Sequence, residues 1–463
     1  MLRMEFTQKD KEHNMYHWHP LFEKVESIEN AFAIAVYRVY KSGGIDDYQK
    51  EMYLSNFTNF KNQLEFLWNC YNGVYDTVYK NHEPLKNLLD IFTPLDITCY
   101  KNLALFKYKS FIALDEMEMF GYDFWNKYDG LYRECRSVVI DTYNLSIVLA
   151  PQKKFFNVNE NPEMDVKVIR DKIKDAKKVE ITNKLDGSNQ NYRWYNGEVV
   201  GSGSSALNPA ESWRLTEGYK LLNINYVQML KENPDYTFMF EYISPKNPIV
   251  VEYKKEQEGL YLFGARNVFT GKEMTYEEAL SIGHKYGVKC TDIYDDSFED
   301  ILGKLDDYKS NEKEGWVIGI KNDNGDIFKA KLKVNDYVLM HKAITKMVSP
   351  NAIIKAIADG KYDDFYAKIP NAYRSIADDI AKTVHKYLYS MELNISAYYD
   401  EAKNNTDNKK DFMLYCNNNI PKKYKGYVIC RYLNRKYDLI KIGPIDKNPG
   451  YRKLNEMIKL TEN

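Results

Sequence analysis

The stretch VEITNKLDGSNQNYRWY, Val179 to Tyr195, decides the fold of the middle of this chain. Val179, Ile181 and Thr182 are β-branched, and Tyr192, Trp194 and Tyr195 are aromatic, so both halves read as short strands. Between them lies Lys184-Leu185-Asp186-Gly187-Ser188, a lysine at a strand end followed by a turn carrying Asp and Gly. That arrangement can hold an amine rigidly toward a pocket. A lysine attacks only when unprotonated, so the reading requires its pKa to be lowered by burial or by neighbouring cations. By itself, such a pentapeptide is also a common surface turn.

Outward from this point the strand signals continue. YTFMFEYI, GLYLFGA, EGWVIGI and DIFKAKLK are short, rich in β-branched and aromatic residues, and often alternate. Asn196-Gly197 and Asn324-Gly325 sit between strands as hairpin turns do. Thr275 with Glu278 reads as a capping box opening a helix, and a second helix is expected near Ser297. On either side the pattern turns helical: Phe22, Val25, Ile28 and Phe32 before it, and Ile376, Ala377, Ile380, Ala381, Val384 and Leu388 after it. The expected organisation is a helical N-terminal extension at 1–95, a strand-rich domain at 96–345 and a helical domain at 346–463.

The 463 residues are 44% hydrophobic, enough for several cores. With 65 Lys and Arg against 66 Asp and Glu, a uniformly basic nucleic-acid coat is excluded, although local basic grooves are not. The cysteines Cys70, Cys99, Cys135, Cys290, Cys416 and Cys430 form no CxxC pair. This argues against a zinc site or a disulfide framework and fits a reducing cytosol. No secretory leader and no membrane span are expected.

Other residues give Lys184 company. Glu241 ends the apolar strand FMFEYI, and Glu314 stands at the mouth of GWVIGI. Lys331 and Lys333, spaced i and i+2, lie on one face of a strand, where they repel unless an anion lies between them. One nucleophile, two carboxylates and two cations suit attack of Lys184 on the α-phosphate of ATP. Pyrophosphate is expelled and a phosphoramidate remains, with catalysis resting on positioning and charge stabilisation.

The order KxDG, FEY, EGxV, KxK resembles the covalent nucleotidyltransferase superfamily of ligases and capping enzymes. Within it the chain is similar to the phage RNA ligase 1 family. That likeness is carried by GLYRECRSVVID at 130–141, KKFFNVNENP at 153–162, EYISPKNPIVVEY at 241–253, YVLMH at 337–341, and ADGKYDDF followed by AYRSI at 358–376. It covers roughly residues 99 to 385.

The resemblance implies an α+β fold: a ligase-type nucleotidyltransferase domain built on antiparallel sheets, then an all-helical C-terminal domain concerned with RNA specificity. It implies an ATP-dependent RNA ligase with magnesium or manganese, joining 5′-phosphate and 3′-hydroxyl ends through lysyl-AMP and RNA-adenylate. Single-stranded RNA or a cleaved tRNA is the implied substrate, in RNA repair. An end-healing kinase or phosphatase is the implied partner, the chain a monomer, and the setting the cytoplasm, a host's if the chain is phage-encoded. Lys184 becomes the AMP-bearing nucleophile. Arg136 contacts the nucleotide or its phosphate, Lys154 lies near the triphosphate, and Asn183 lies against the adenine through its backbone. Glu241 binds the ribose, Glu314 supports the metal or tunes Lys184, and Lys331 and Lys333 bind the α-phosphate. The alternatives are a DNA ligase, a capping guanylyltransferase, or a non-catalytic RNA-binding relative. The first two usually place a β-barrel after the KxK motif, where this sequence reads helical.

There are two departures. Ser137 stands where the family has glycine, which questions how closely the backbone approaches there. The turn GSGSSAL at 201–207 lacks an expected lysine. GSGSS itself is given no phosphate role, because it sits between strands and not between a strand and a helix. His13, His17 and His19 have no Cys or carboxylate to complete a metal set and read as a histidine-rich helix start. KKYKGYVICRYLNRKYDLIK at 422–441 interleaves cations and tyrosines as RNA-binding surfaces do, and equally suits a solvated or core-lining role.

Overall fold

A computed structural model describes residues 15–55, 58–75, 79–109, 121–347, 349–367, 369 and 373–439. The chain divides into two compact units, 1–338 and 339–463.

Helices open the first unit: α1 (Pro20–Lys41), α2 (Asp47–Leu54), α3 (Phe60–Tyr71) and α4 (Glu83–Asp90). Phe22, Val25, Ile28 and Phe32 are buried along α1, as their spacing requires. His19 caps this helix, its ring accepting from Leu21 N; His13 lies outside the described residues. These helices do not close a core of their own. Phe60 packs on Phe92 and Phe106, and the Trp18 indole donates to Val268 O, 250 positions along the chain.

Three sheets follow. β1 (Leu95–Tyr100), β2 (Leu103–Tyr108), β3 (Arg136–Asp141) and β4 (Ser146–Leu149) form an antiparallel meander. The short β5 (Phe156–Asn157) and helix α5 (Val166–Lys174) lead to β6 (Lys178–Lys184), β7 (Ser188–Tyr195) and β8 (Glu198–Gly203). β7 and β8 are joined by Asn196 and Gly197, both at positive φ (50° and 86°), the conformation a two-residue hairpin loop needs. Next come α6 (Trp213–Leu221), α7 (Ile224–Glu232), β9 (Tyr236–Ile243) and β10 (Gly259–Asn267). Helix α8 (Tyr276–Lys285) opens with the expected Thr275/Glu278 capping box. β11 (Ile293–Tyr294), α9 (Phe298–Gly303), β12 (Gly315–Lys321) and β13 (Ile327–Lys333) complete the set. The second sheet runs β10-β9-β7-β8 and the third β11-β6-β12-β13-β5, antiparallel except where β13 meets β5.

From α10 (Asn335–Met347) onward the described residues are helical: α11 (Pro350–Ala358), α12 (Tyr362–Tyr366), α13 (Arg374–Asn404), α14 (Lys409–Asn419) and α15 (Lys422–Tyr432). Ala377, Ala381 and Val384 of α13 are buried as expected; the Ile376 side chain lies outside the described residues. Val428 is buried and Tyr432 stacks on Phe412, so part of the 422–441 stretch lines a core. No helix among the described residues is long and apolar enough to cross a membrane.

Candidate active site

The register of the third sheet assembles the site. Lys184 of β6, Gly315 of β12 and Lys333 of β13 are paired side by side across three strands. Two residues back, Thr182, Val317 and Lys331 are paired in the same way. Directly paired residues and those two apart share a sheet face, so Lys184, Lys331 and Lys333 project to one side. That side walls a cleft of about 570 Å³, lined also by Arg136, Asn183, Arg214, Glu241 and the turn Gly203–Ala206. The volume suits a small organic ligand.

Glu314 joins two of these lysines. Its carboxylate accepts from Lys184 Nζ at 2.7 Å and pairs with Lys333 Nζ at 2.9 Å while only 4% exposed. The consequence for Lys184 contradicts the sequence expectation. Burial pushes the amine down, but Glu314, Glu241 and Asp186 outweigh it and hold its pKa above the ordinary lysine value. Glu314 is in direct contact with the amine, and the nearest charge weighs most. The ligand-free amine is therefore a protonated ion-pair partner.

Lys331 is in the opposite condition. On the same face, Lys329 is paired with Glu273 and also donates to Gln152 Oε1, and Lys333 is paired with Glu314. Among the described residues the Lys331 ammonium has no carboxylate. It lies 4.5 Å from the Phe155 ring centroid, with Arg136 5.3 Å from the same ring. Burial first, and then Arg136, Lys184, Lys154 and Lys333, push its pKa well below the usual value. Arg136 Nη1 is also buried without a partner. Two cations left unmatched in one cleft are the mark of a site shaped for an anion.

The carboxylates are held from behind. Gly187 N donates to Glu241 Oε1 at 3.1 Å, and a side chain at 187 would meet Tyr242 O at 2.4 Å, so the turn needs glycine there. Burial, with Glu314 and Asp186 nearby and Lys184 opposing, raises Glu241 to about 8. Asp186 is spent on the fold: it accepts from Val250 N, Val251 N and the Tyr337 hydroxyl, each at 2.8 Å, and its own N–H donates to Tyr253. Asp186, Tyr253 and Tyr337 were missed by the sequence reading; their only signal was their place inside the motifs.

Lys154 sits apart from the cleft wall, and Asn183 lines the cleft while its side chain is engaged elsewhere. Lys154 is not among the lining residues; its ammonium lies between Tyr108, Trp125 and Phe156, 4.6–5.1 Å from their centroids. Asn183 is paired with Trp316, on the sheet face opposite Lys184, and its Oδ1 accepts from Lys313 at 2.8 Å. Ser137 occupies φ 71°, a conformation that favours glycine, and its hydroxyl donates to Ser204 O at 2.6 Å. Among the described residues no group of three or more His, Cys, Asp or Glu could hold a metal ion.

Residues 134–337, which include every residue of this cleft, match the RNA ligase family. That match covers a little under half of the chain. The chain also resembles a viral protein, the bifunctional polynucleotide kinase/RNA ligase of Autographa californica nuclear polyhedrosis virus. The two are 25% identical over 256 residues, 51% of this chain and 35% of that protein, so the chain spans about a third of its relative. Solved structures that resemble the chain include an archaeal ATP-dependent RNA ligase (TM-score 0.39, 12% identity, 82% of this chain and 95% of that one). Another is the Naegleria gruberi RNA ligase with pyrophosphate (TM-score 0.31, 21% identity, 38% and 56%). Both likenesses are distant, and the cleft geometry around Lys184 stands independently of them.

Proposed function

We propose that the chain is an ATP-dependent RNA ligase that seals 5′-phosphate to 3′-hydroxyl ends. The observation that carries this is the juxtaposition of Lys184 with Lys331: a half-buried amine in one cleft with a half-buried lysine that has no carboxylate partner among the described residues. Lys184 Nζ attacks the α-phosphorus of ATP, the P–O bond to the β-phosphate breaks, pyrophosphate leaves, and the lysine loses its proton. Lys331, Lys333 and Arg136 neutralise the charge on the phosphoryl oxygens as it transfers. Glu241 takes the ribose, and the backbone of Asn183 lies against the base. Lys154, held among its three rings, supports the wall next to Arg136 and Lys331 from behind.

Glu314 is the carboxylate that would hold a divalent cation, exchanging one of its lysine partners for the ion, whose shell phosphate and water would complete. Magnesium or manganese held there would supply positive charge beside Lys184 and favour its neutral form. The AMP then passes to the 5′-phosphate of an RNA end, and a 3′-hydroxyl displaces it to form the phosphodiester.

The helical region 346–463 is proposed to select the RNA, a cleaved tRNA being the favoured substrate, with 1–95 an extension supporting the 96–345 ligase domain. An end-healing kinase or phosphatase as partner, a monomeric state and a cytoplasmic setting complete the proposal. A DNA ligase or capping enzyme is disfavoured by the helices that follow Lys333.

The test is labelled ATP with magnesium on wild type and Lys184→Ala. Wild type gains the mass of one AMP and loses it to 5′-phosphorylated RNA; the variant gains none. Label retained by Lys184→Ala sinks the assignment.

A further inference from the structure

The turn Gly203–Ala206 was denied a phosphate role on sequence grounds, yet it forms one wall of the cleft that holds Lys184, Lys331 and Arg136. Two of its carbonyls are tied away by hydroxyls from the first sheet. Ser137 Oγ donates to Ser204 O at 2.6 Å, and Thr98 Oγ1 donates to Ser205 O at 3.1 Å. Gly203 N closes the turn on Ala206 O at 2.8 Å.

Every peptide bond of the described residues is trans, so each N–H points opposite to the carbonyl of its own peptide unit. Pinning Ser204 O and Ser205 O therefore turns the N–H groups of Ser205 and Ala206 the other way. Neither N–H has a partner among the described residues. Successive free N–H groups in a turn make an anion-binding concavity. A second observation points to an anion in the same cleft: Arg136, which lines it together with this turn, has a buried and unpaired Nη1, and it is the residue next to the Ser137 pin. Holding Ser137 at φ 71° is the conformational cost of keeping its hydroxyl on Ser204.

We infer that the Gly203–Ala206 turn is a phosphate cradle, held open by Ser137 and Thr98, that takes the pyrophosphate portion of ATP through the Ser205 and Ala206 N–H groups. This rests on the ATP reading above. In the reverse reaction, a pyrophosphate oxygen attacks the phosphorus of Lys184–AMP. The P–N bond breaks, ATP re-forms and the amine recovers a proton. The cradle holds the attacking pyrophosphate for that step.

The experiment uses the full chain carrying labelled AMP on Lys184 and titrates inorganic pyrophosphate, following release of ATP. Ser137→Gly removes the hydroxyl while suiting φ 71°, so it is expected to melt at or above wild type. Thr98→Val removes the second pin. The pyrophosphate concentration for half-maximal release should rise about 5- to 30-fold in the double variant, the worth of one or two hydrogen bonds. Joining of RNA that already carries a 5′-AMP should stay within about twofold, since it needs no pyrophosphate. An unmoved pyrophosphate requirement overturns the cradle. An equal fall in joining of adenylated RNA also overturns it, showing that an RNA phosphate is the anion held. A wild type that takes no AMP defeats the ATP reading itself and the cradle with it, a result distinct from the other two.

Discussion

Lys184 Nζ donates to Glu314 Oε2 across 2.7 Å, joining residues 130 positions apart at the level where three strands lie abreast. The same carboxylate pairs with Lys333, so one acid holds two lysines that line the cleft.

Glu314→Gln removes the anion that most directly raises the Lys184 pKa. With burial left to act, the amine should become neutral at lower pH. The rising limb of the pH profile for single-turnover adduct formation should shift down by about one unit or more, even as the rate falls. A limb that stays in place means another group governs the profile.

Glu241 is raised to about 8 by burial, so in the folded protein it keeps a proton that the unfolded chain releases near pH 4.5. Fewer protons bound in the unfolded state mean stability that declines as pH rises from about 4.5 to 8. Glu241→Gln should remove that decline, melting higher than wild type at pH 8 and equal to it near pH 4. If Glu241 takes the ribose as proposed, adduct formation at low ATP should drop at least about tenfold. Parallel melting curves at both pH values would contradict the protonated carboxyl.

Gly315 lies between Lys184 and Lys333, and a Cβ there would stand 2.1 Å from Leu332 O and 2.8 Å from Lys333 Cα. Because both obstacles are backbone, β12 and β13 must part. Gly315→Ala should cost more than about 2 kcal/mol and slow adduct formation by about 100-fold, the scale of a 1 Å misplacement. Urea melts and single-turnover rates check both; a variant like wild type in each shows the sheet can absorb the methyl group.

His19 is buried, and burial lowers it from 6.5 to about 4, with Glu134 opposing and Arg266 assisting. Between these pH values the unfolded chain binds the extra proton, so stability is lost as pH falls from 6.5 to 4. The loss is up to about 3 kcal/mol. His19→Asn keeps a capping side chain and should lose less stability across that window. Equal slopes in denaturation at pH 7, 5.5 and 4.5 would locate the acid sensitivity elsewhere.

Much of the fold was legible because alternation is local. The β6 and β7 strands around Lys184, the Asn196-Gly197 hairpin and the Thr275 capping box all follow from residues within a few positions of one another. The common face of Lys331 and Lys333 was legible for the same reason. Glu314 as the shared anion of Lys184 and Lys333 was not, because cross-strand register is settled only when the strands pair. The raised Lys184 pKa was misjudged on that account. Lys154 ended among three rings because Tyr108 and Trp125, distant in sequence, close over it. GSGSS was judged by its flanking elements, while its place depends on Ser137, 67 positions from the carbonyl it holds.

By itself, then, the sequence determined which side chains could carry the chemistry and which strand faces they occupy, since periodicity and residue type are properties of short segments. Tertiary structure alone decided their charge states, which cation is left without an anion, and which turn walls the cleft. Those depend on distances between segments, and electrostatic energy in a buried site changes steeply with each of them.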